Sequence, residues 1–492
     1  MNTPVHHLVF EMKQVWVALH FLLIILLHAG PVSAGVELSE ADQRPPNIIL
    51  ILSDDVGAET IGVYGGESYL TPNIDQLARD GMRFEYGHAQ PLCTPSRVKI
   101  MTGQYNFRNY LQFAHLDPTE RTFAHILKNA GYTTTVAGKW QLYYNRFEPT
   151  RGATPSDAGF DEYLLWQFDT KNGSRYWAPL LEHNGSLVQH DASVYGPDIF
   201  NAYVLEYIEQ HKTQPFFIYY PMVLAHDPWV TTPDMRDESA SDQQKFAAMM
   251  AYMDKMVGNV RRKVEELGLA ERTLIFFIGD NGTGVDIVSL QHGIEVRGAK
   301  GATIDAGSRV PFVAWGPSVV TSGVTSDSLV NLNDIVPTLA DLANVELPPD
   351  YPGDGVSLVP VFSGKEEMSR ENLFIHYEPR WPTATPARYA FDRRWKLYES
   401  GGFYDMRTDP LEQRALNVEG LSAEGAVAYR ALSQRIEIMP GELRSNHRWL
   451  PTQFYYVVGV ALVSWRHLSG LSGGPAAICD RREDMRGDFL ND

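Results

Sequence analysis

The stretch Pro91-Leu92-Cys93-Thr94-Pro95-Ser96-Arg97 places a cysteine at the entrance of a short helix. Thr94 suits the N-cap, Pro95 the first helical position and Gly103 the stop, so Cys93 faces the electropositive end, a place for an anion. Taken alone, the pattern also fits a buried structural cysteine ahead of a helix. A second set of residues carries oxygen. Asp54 and Asp55 follow the apolar run 47–52 almost at once, and Asp280 and Asn281 follow the run 273–278. Side chains at the carboxyl ends of strands buried on both faces lie where open α/β sheets bind ligands, and carboxylates there are expensive without a cation. Asp-Asp shortly before Gly57 also fits a solvated turn. The four together contain no cysteine or histidine and suit a hard cation. Calcium, which takes about six to eight such ligands at ~2.3 to 2.6 Å, is the first choice and magnesium the second.

The elements that must position these residues recur as strand, helix, strand. The continuous apolar run 47–52 reads as a strand buried on both faces, and 132–137, 216–220, 273–278 and 310–314 read as further strands. Helices are expected at 71–81, 122–130, 197–211, 242–267 and 333–343. The stripe Phe246, Met249, Met250, Met253, Met256, Val257 and Val260 is core packing. A hairpin is expected at 180–188, turning at Asn184-Gly185. This pattern predicts an α/β fold, an α/β/α sandwich with a large mixed, mostly parallel sheet. Breaks at 347–349 and 353–355 and a boundary near 364–367 precede short strands at 373–377, 388–391 and 395–399. These predict a small C-terminal domain with an antiparallel sheet, so that 45–365 is the main domain and 366–441 the smaller one.

With 44% hydrophobic and 21% charged residues in a chain of 492, the composition is that of an ordinary globular protein of several domains. Its net charge of −18 argues against general affinity for nucleic acid or anionic membrane, so an anionic substrate needs local cations. Lys13, an apolar run over 15–27 and the ending Val32-Ser33-Ala34 read as a secretory signal over 1–34, which leaves no stable membrane span after its removal. Export would be periplasmic, secreted or lysosome-like. Cys93 and Cys479 are the only cysteines, too few for a disulfide framework. Asn172-Gly-Ser and Asn184-Gly-Ser are formal glycosylation sites that tight turns explain equally well. The tail 442–492 contains an apolar stretch over 454–465, too short to span a bilayer and without an assigned role.

Cys-x-Pro-Ser-Arg followed by Thr102-Gly103 resembles the signature of the sulfatase family, in the alkaline phosphatase superfamily. The resemblance spans about 46–417, including Phe403-Tyr404-Asp405 and Asp409-Pro410 of the smaller domain. It implies that a maturation enzyme oxidises Cys93 to formylglycine, whose hydrate is the nucleophile, and that Asp54, Asp55, Asp280 and Asn281 hold calcium near residue 93. By the same resemblance Arg97 steadies the hydrate, Lys139 and Lys300 bind sulfate, and His226 binds sulfate and helps protonate the leaving oxygen. The implied substrate is a sulfated small molecule or glycan. His115, His125 and His292 match nothing in the signature. One departure touches the chemistry. Gly138-Lys139-Trp140-Gln141-Leu142-Tyr143 places Gln141 where the family has a histidine thought to act as base when sulfate is expelled, and an amide takes up no proton. Two alternatives stay open: a phosphodiesterase or phosphonate monoester hydrolase of the same superfamily, or a slow or inactive homologue that binds sulfated glycans.

Overall fold

The first strand, β1 (Asn47–Ser53), is buried over its whole length. Ile48, Leu50 and Leu52 enter one core and Ile49 and Ile51 the other, so the run of apolar residues serves both faces of a sheet. The computed structural model describes residues 44–144, 151–166, 173–381 and 384–441. The expected signal over 1–34 and the tail from 442 lie outside the described residues.

After β1 come α1 (Pro72–Arg79), β2 (Met82–His88), α2 (Cys93–Thr102), α3 (Phe123–Asn129), β3 (Thr133–Lys139) and β4 (Glu162–Trp166). The hairpin β5 (Leu180–His183) and β6 (Ser186–Gln189) follows, then α4 (Gly196–Gln210), β7 (Phe216–Pro221), α5 (Asp242–Glu266) and β8 (Thr273–Gly279). A second hairpin, β9 (Val288–Gln291) and β10 (Ile294–Arg297), precedes β11 (Phe312–Trp315), β12 (Val324–Asn331) and α6 (Ile335–Leu342). The chain then forms β13 (Leu373–Tyr377), β14 (Ala387–Phe391), β15 (Trp395–Tyr398), β16 (Phe403–Asp405) and α7 (Ala423–Ile438).

Ten strands form one sheet in the order β12-β2-β11-β8-β1-β7-β3-β4-β5-β6. The pairs β1 with β7 and β8, β3 with β7 and β4, and β12 with β2 are parallel, while β11 runs against both its neighbours. Side chains of α1, α4 and α5 join the core on one face, those of α2, α3 and α6 the core on the other. This is the expected sandwich, and the methionine stripe of α5 is buried in it as core. The smaller sheet, β13-β14-β15-β16, is antiparallel throughout, and α7 packs into the cluster formed with Phe374, Trp395 and Phe403. Hydrogen bonds tie it to the main sheet's loops: Gln90 Nε2 donates to His376 O at 3.2 Å and Tyr377 OH to Gly301 O at 3.1 Å.

Local signals behave as their chemistry dictates. Thr122 caps α3 through a capping box with His125, and Asn184 (φ 48°) and Gly185 (φ 85°) make the β5–β6 turn left-handed, as a type I′ hairpin requires. One expectation fails. Thr94 is not the N-cap of α2: the helix begins at Cys93, with Leu92 extended at the cap and no side-chain cap bond. The Thr94 hydroxyl is engaged elsewhere, accepting from Ala114 N at 3.1 Å and donating to Gln141 Oε1 at 3.2 Å. Pro95 then falls at the third helical position, where its missing N–H still costs nothing. Gly103, at φ 65°, closes the helix as expected.

Candidate active site

Since β1, β3, β7 and β8 are parallel, their carboxyl ends meet at one edge of the sheet. From β1 come Asp54 and Asp55, from β8 Asp280 and Asn281, from β3 Lys139 and Gln141, and from the segment after β7 His226. Backbone bonds lock these ends together: Asp54 N donates to Leu224 O at 2.9 Å, Ala225 N to Asp54 O at 2.8 Å and Asp280 N to Ser53 O at 3.0 Å. Gly138, at φ 125°, lets β3 come so close to β7 that a Cβ there would lie 2.0 Å from Pro221 O. The first five residues of α2 add Cys93 and Arg97, and the loop after β10 adds Lys300.

All ten residues expected at the site are brought together. Lys139 Nζ lies 2.9 Å from both Asp54 carboxylate oxygens, and Arg97 Nη2 lies 2.8 Å from Asp280 Oδ2 and 3.3 Å from Asp54 Oδ1. Asp280 Oδ1 accepts from Asp55 N at 3.1 Å. Asn281 Nδ2 donates to Asp55 Oδ1 at 2.8 Å, and Cys93 Sγ lies 3.8 Å from the same oxygen. Lys300 Nζ bridges Asp55 Oδ2 at 2.6 Å and His226 Nε2 at 2.8 Å. Gln141, a non-glycine residue at φ 56°, reaches the start of α2 through Thr94.

Charge in this buried cluster is set by competition. Burial opposes ionisation of Asp54, but Lys139, His226 and Arg97 outweigh it and hold the carboxyl well below its usual range. Burial and the neighbouring Asp54 charge push Asp280 up to about 7. Burial also pushes the Cys93 thiol up to about 12, against the pull of Lys139 and Lys300. Only about one part in 10⁵ of such a thiol is thiolate at neutral pH, a poor nucleophile. Burial lowers His226, whereas Asp55 raises Lys300 against its burial.

The donor set fits a hard cation. Asn281 Oδ1 is buried with no hydrogen-bond partner among the described residues, beside three carboxylates within the same cluster. Ligand atoms of Asp54, Asp55, Cys93 and His226 all lie within 4.8 Å of one another. An unpaired amide oxygen facing carboxylates is what an oxygen-seeking ion such as calcium would satisfy.

Two neighbours of His226 had no signal in the sequence. Arg175 lies in the aromatic, aperiodic stretch after β4, and its Nη2 lies 2.9 Å from His226 Nδ1 and bonds Asp227 O. Asp227 Oδ1 lies 2.9 Å from the same ring nitrogen. The histidines without a match do other work. His115 Nδ1 lies 2.9 Å from Tyr144 O, His125 closes the α3 capping box, and His292 turns the β9–β10 hairpin at φ 50°.

Residues 46–345 match the Sulfatase family, and residues 300–437 match the family N-sulphoglucosamine sulphohydrolase, C-terminal. Arylsulfatase A of Homo sapiens is 32% identical over 481 residues, covering 83% of this chain and 90% of that protein. Arylsulfatase G of Rattus norvegicus is 30% identical over 413 residues, covering 73% of this chain and 77% of that one. The solved structure of Ps i-CgsB is similar in fold, with a TM-score of 0.68 at 24% identity over 80% of this chain and 93% of its own. A catalytic edge of this make-up, matched over most of the chain by curated sulfatases, assigns it: the protein belongs to the sulfatase family of the alkaline phosphatase superfamily, whose members are sulfuric ester hydrolases.

Proposed function

We propose that the protein hydrolyses aryl or carbohydrate sulfate esters with a formylglycine made from Cys93 and a calcium ion held by Asp54, Asp55, Asp280 and Asn281. The observation that carries this reading is a cysteine at the first position of a helix, buried and un-ionised, facing Lys139, Lys300 and the acidic cluster. A neutral thiol has little use there, whereas Pro95 and Arg97 complete the sequence in which such a cysteine is oxidised. In place, the aldehyde hydrate supplies one hydroxyl to attack sulfur and a second whose loss of a proton expels sulfate, and calcium supplies positive charge for the sulfate oxygens.

The chain's own side chains do the rest. Lys139 and Lys300 stand on either side of residue 93's neighbours Asp54 and Asp55, and their ammonium groups bind the sulfate oxygens as charge develops. Arg97, clamped between Asp54 and Asp280, fixes the first turn of α2 and so the direction of residue 93. Lys300 Nζ donates to His226 Nε2 across 2.8 Å where the alcohol leaves. With the Nδ1 hydrogen of His226 held toward Asp227, Nε2 accepts from Lys300, so the proton given to the leaving oxygen comes from the Lys300 ammonium, relayed through Nε2. At Gln141 the chain offers an amide in place of a base, and this favours slow sulfate release over slow sulfur transfer.

Peptide mass spectrometry on protein from a host with the maturation enzyme tests the nucleophile, with formylglycine expected at residue 93. Unmodified thiol alone would remove it. Steady-state assays with matched sulfate, phosphodiester and phosphonate monoester substrates are expected to favour the sulfate, and a preference for either phosphorus ester would overturn the substrate class.

A further inference from the structure

A cavity of about 220 Å³ opens between the end of β2, the loop ahead of β11 and the small sheet. None of its lining residues belongs to the cluster around Cys93. His88, Asp305, Arg309, Arg393, Lys396 and Arg407 supply its charges and polar groups, and Tyr86, Phe391 and Met406 an apolar wall. Most of these charges are already paired. Arg309 binds Glu85 at 2.5 Å, Lys396 binds Glu412 at 2.7 Å, and Asp392 accepts from Arg394 N and Trp395 N. Two cations lack a salt bridge among the described residues. Arg393 donates to the backbone oxygen of Asp327 at 2.6 Å and lies near the Asp392 carboxylate, and the exposed Arg407 guanidinium lies near Asp405. His88 is 3% exposed, packs at a tilt against Phe391 with ring centroids 4.5 Å apart, and its Nδ1 is buried with no hydrogen-bond partner among the described residues. A buried imidazole nitrogen with an unmade bond, in a cavity also lined by two guanidinium groups outside any salt bridge, suits an oxygen anion.

The cavity is also placed for the reaction. β2 runs parallel to β1 and β8, because β11 is antiparallel to both β2 and β8, so His88 ends its strand at the catalytic edge. His88 and Cys93 are five positions apart in the chain, as are Lys300 and Asp305, so each link spans at most about 18 Å. The volume lies below the ~300 to 1,000 Å³ of a site that encloses a whole ligand, and suits one group of a larger molecule. We propose that this cavity is an anion subsite that receives a second sulfate group of an oligosaccharide whose scissile sulfate lies at residue 93. It rests on the reading of the site as a sulfate-ester hydrolase. The apolar wall takes a face of the sugar ring, and the overall −18 charge leaves Arg393 and Arg407 as local attractors for a multiply sulfated chain.

The test compares Arg393→Ala, Arg407→Ala and their double variant with the native enzyme on a monosulfated aryl ester and on a disulfated disaccharide. The expected result is a loss of about tenfold or more in kcat/KM on the disaccharide, carried by KM, with less than a twofold change on the aryl ester. Equal losses on both substrates, or none on either, would overturn the proposal. Failure of the catalytic reading has a different signature, no hydrolysis of either ester by native enzyme. Calorimetric titration of the Cys93→Ala protein with the disulfated and the matching monosulfated disaccharide then decides the subsite by itself. Tighter binding of the disulfated sugar that Arg407→Ala removes supports it, and equal binding of the two sugars refutes it.

Discussion

Gln141→His restores a base where the chain has an amide, and the surroundings are suited to the exchange. Gln141 sits at φ 56°, a left-handed conformation that histidine enters more readily than most residues. Its Oε1 accepts from Thr94 Oγ1 at 3.2 Å, one residue from the proposed nucleophile, and an imidazole nitrogen can accept the same bond. In the proposed mechanism sulfur transfer depends on Lys139, Lys300 and His226, none of which the substitution replaces. Release of sulfate from residue 93 needs the remaining hydroxyl to lose its proton, a step for which a positioned base contributes about 10²- to 10⁴-fold. That is about 2.7 to 5.4 kcal/mol of barrier. Native enzyme is therefore expected to release a burst of chromogenic alcohol near one equivalent per active site and then to turn over slowly. Gln141→His is expected to raise the slow phase by up to that factor while leaving the burst amplitude unchanged. Stopped-flow absorbance on fully converted protein reads both quantities. A native enzyme with no burst, whose steady rate Gln141→His leaves alone, would refute the argument that release is limiting.

Three further outcomes follow from the geometry. Calcium at 100 times its dissociation constant should stabilise the protein by about 2.7 kcal/mol, so a chelator lowers the melting temperature; Asp280→Ala should abolish bound metal by elemental analysis, and unchanged metal content would show the ligand set to be wrong. Asp280 is raised to about 7, so in the metal-free protein this carboxyl takes up a proton that the unfolded chain has lost, and its contribution to stability falls as pH climbs from about 4 to about 7. Calcium bound as proposed would have to displace that proton. Its affinity should weaken about tenfold per pH unit below 7, and a titration series that found no pH dependence would contradict the assignment. Gly138→Ala would drive a Cβ to 2.0 Å from Pro221 O, separating β3 from β7 where Lys139 leaves the strand. The expected result is a loss of at least tenfold in kcat together with a lower melting temperature, measured side by side.

The apolar runs were the legible part of the sequence. β1, β7 and β8 have no polar interruption before their last residues, so both their burial and the placing of Asp54, Asp55, Asp280 and Asn281 beyond their ends could be read directly. β2 and β12 were not legible. Arg83 and Glu85 of β2 find partners in Val63 O and Arg309, and Ser326 and Ser328 of β12 bond Glu367 around a register shift, so their polar residues are satisfied across long stretches of chain. The same holds within the site. Arg175 acts through His226, 51 residues away, from a segment with no periodicity, and only tertiary packing brings the two together. Thr94 misled for the opposite reason: a residue ideal for capping was used to tie α2 to Gln141 and Ala114.

If Cys93 is converted as proposed, its burial imposes an order of events. The side chain is 1% exposed, and the helix that carries it is closed over by Arg97's contacts to Asp54 and Asp280. Asp280 is made 183 residues after Arg97. At about 5 to 20 residues per second, synthesis leaves roughly 10 to 40 s in which residue 93 exists but its enclosure does not. The proposed conversion of the cysteine and completion of the sheet edge would thus be two processes racing for one short piece of chain. On that proposal a molecule that closes first would keep its thiol, and the active fraction of a preparation would record a ratio of two rates. Slower elongation between residues 93 and 280 widens the interval and raises that fraction, with no change to the folded enzyme itself.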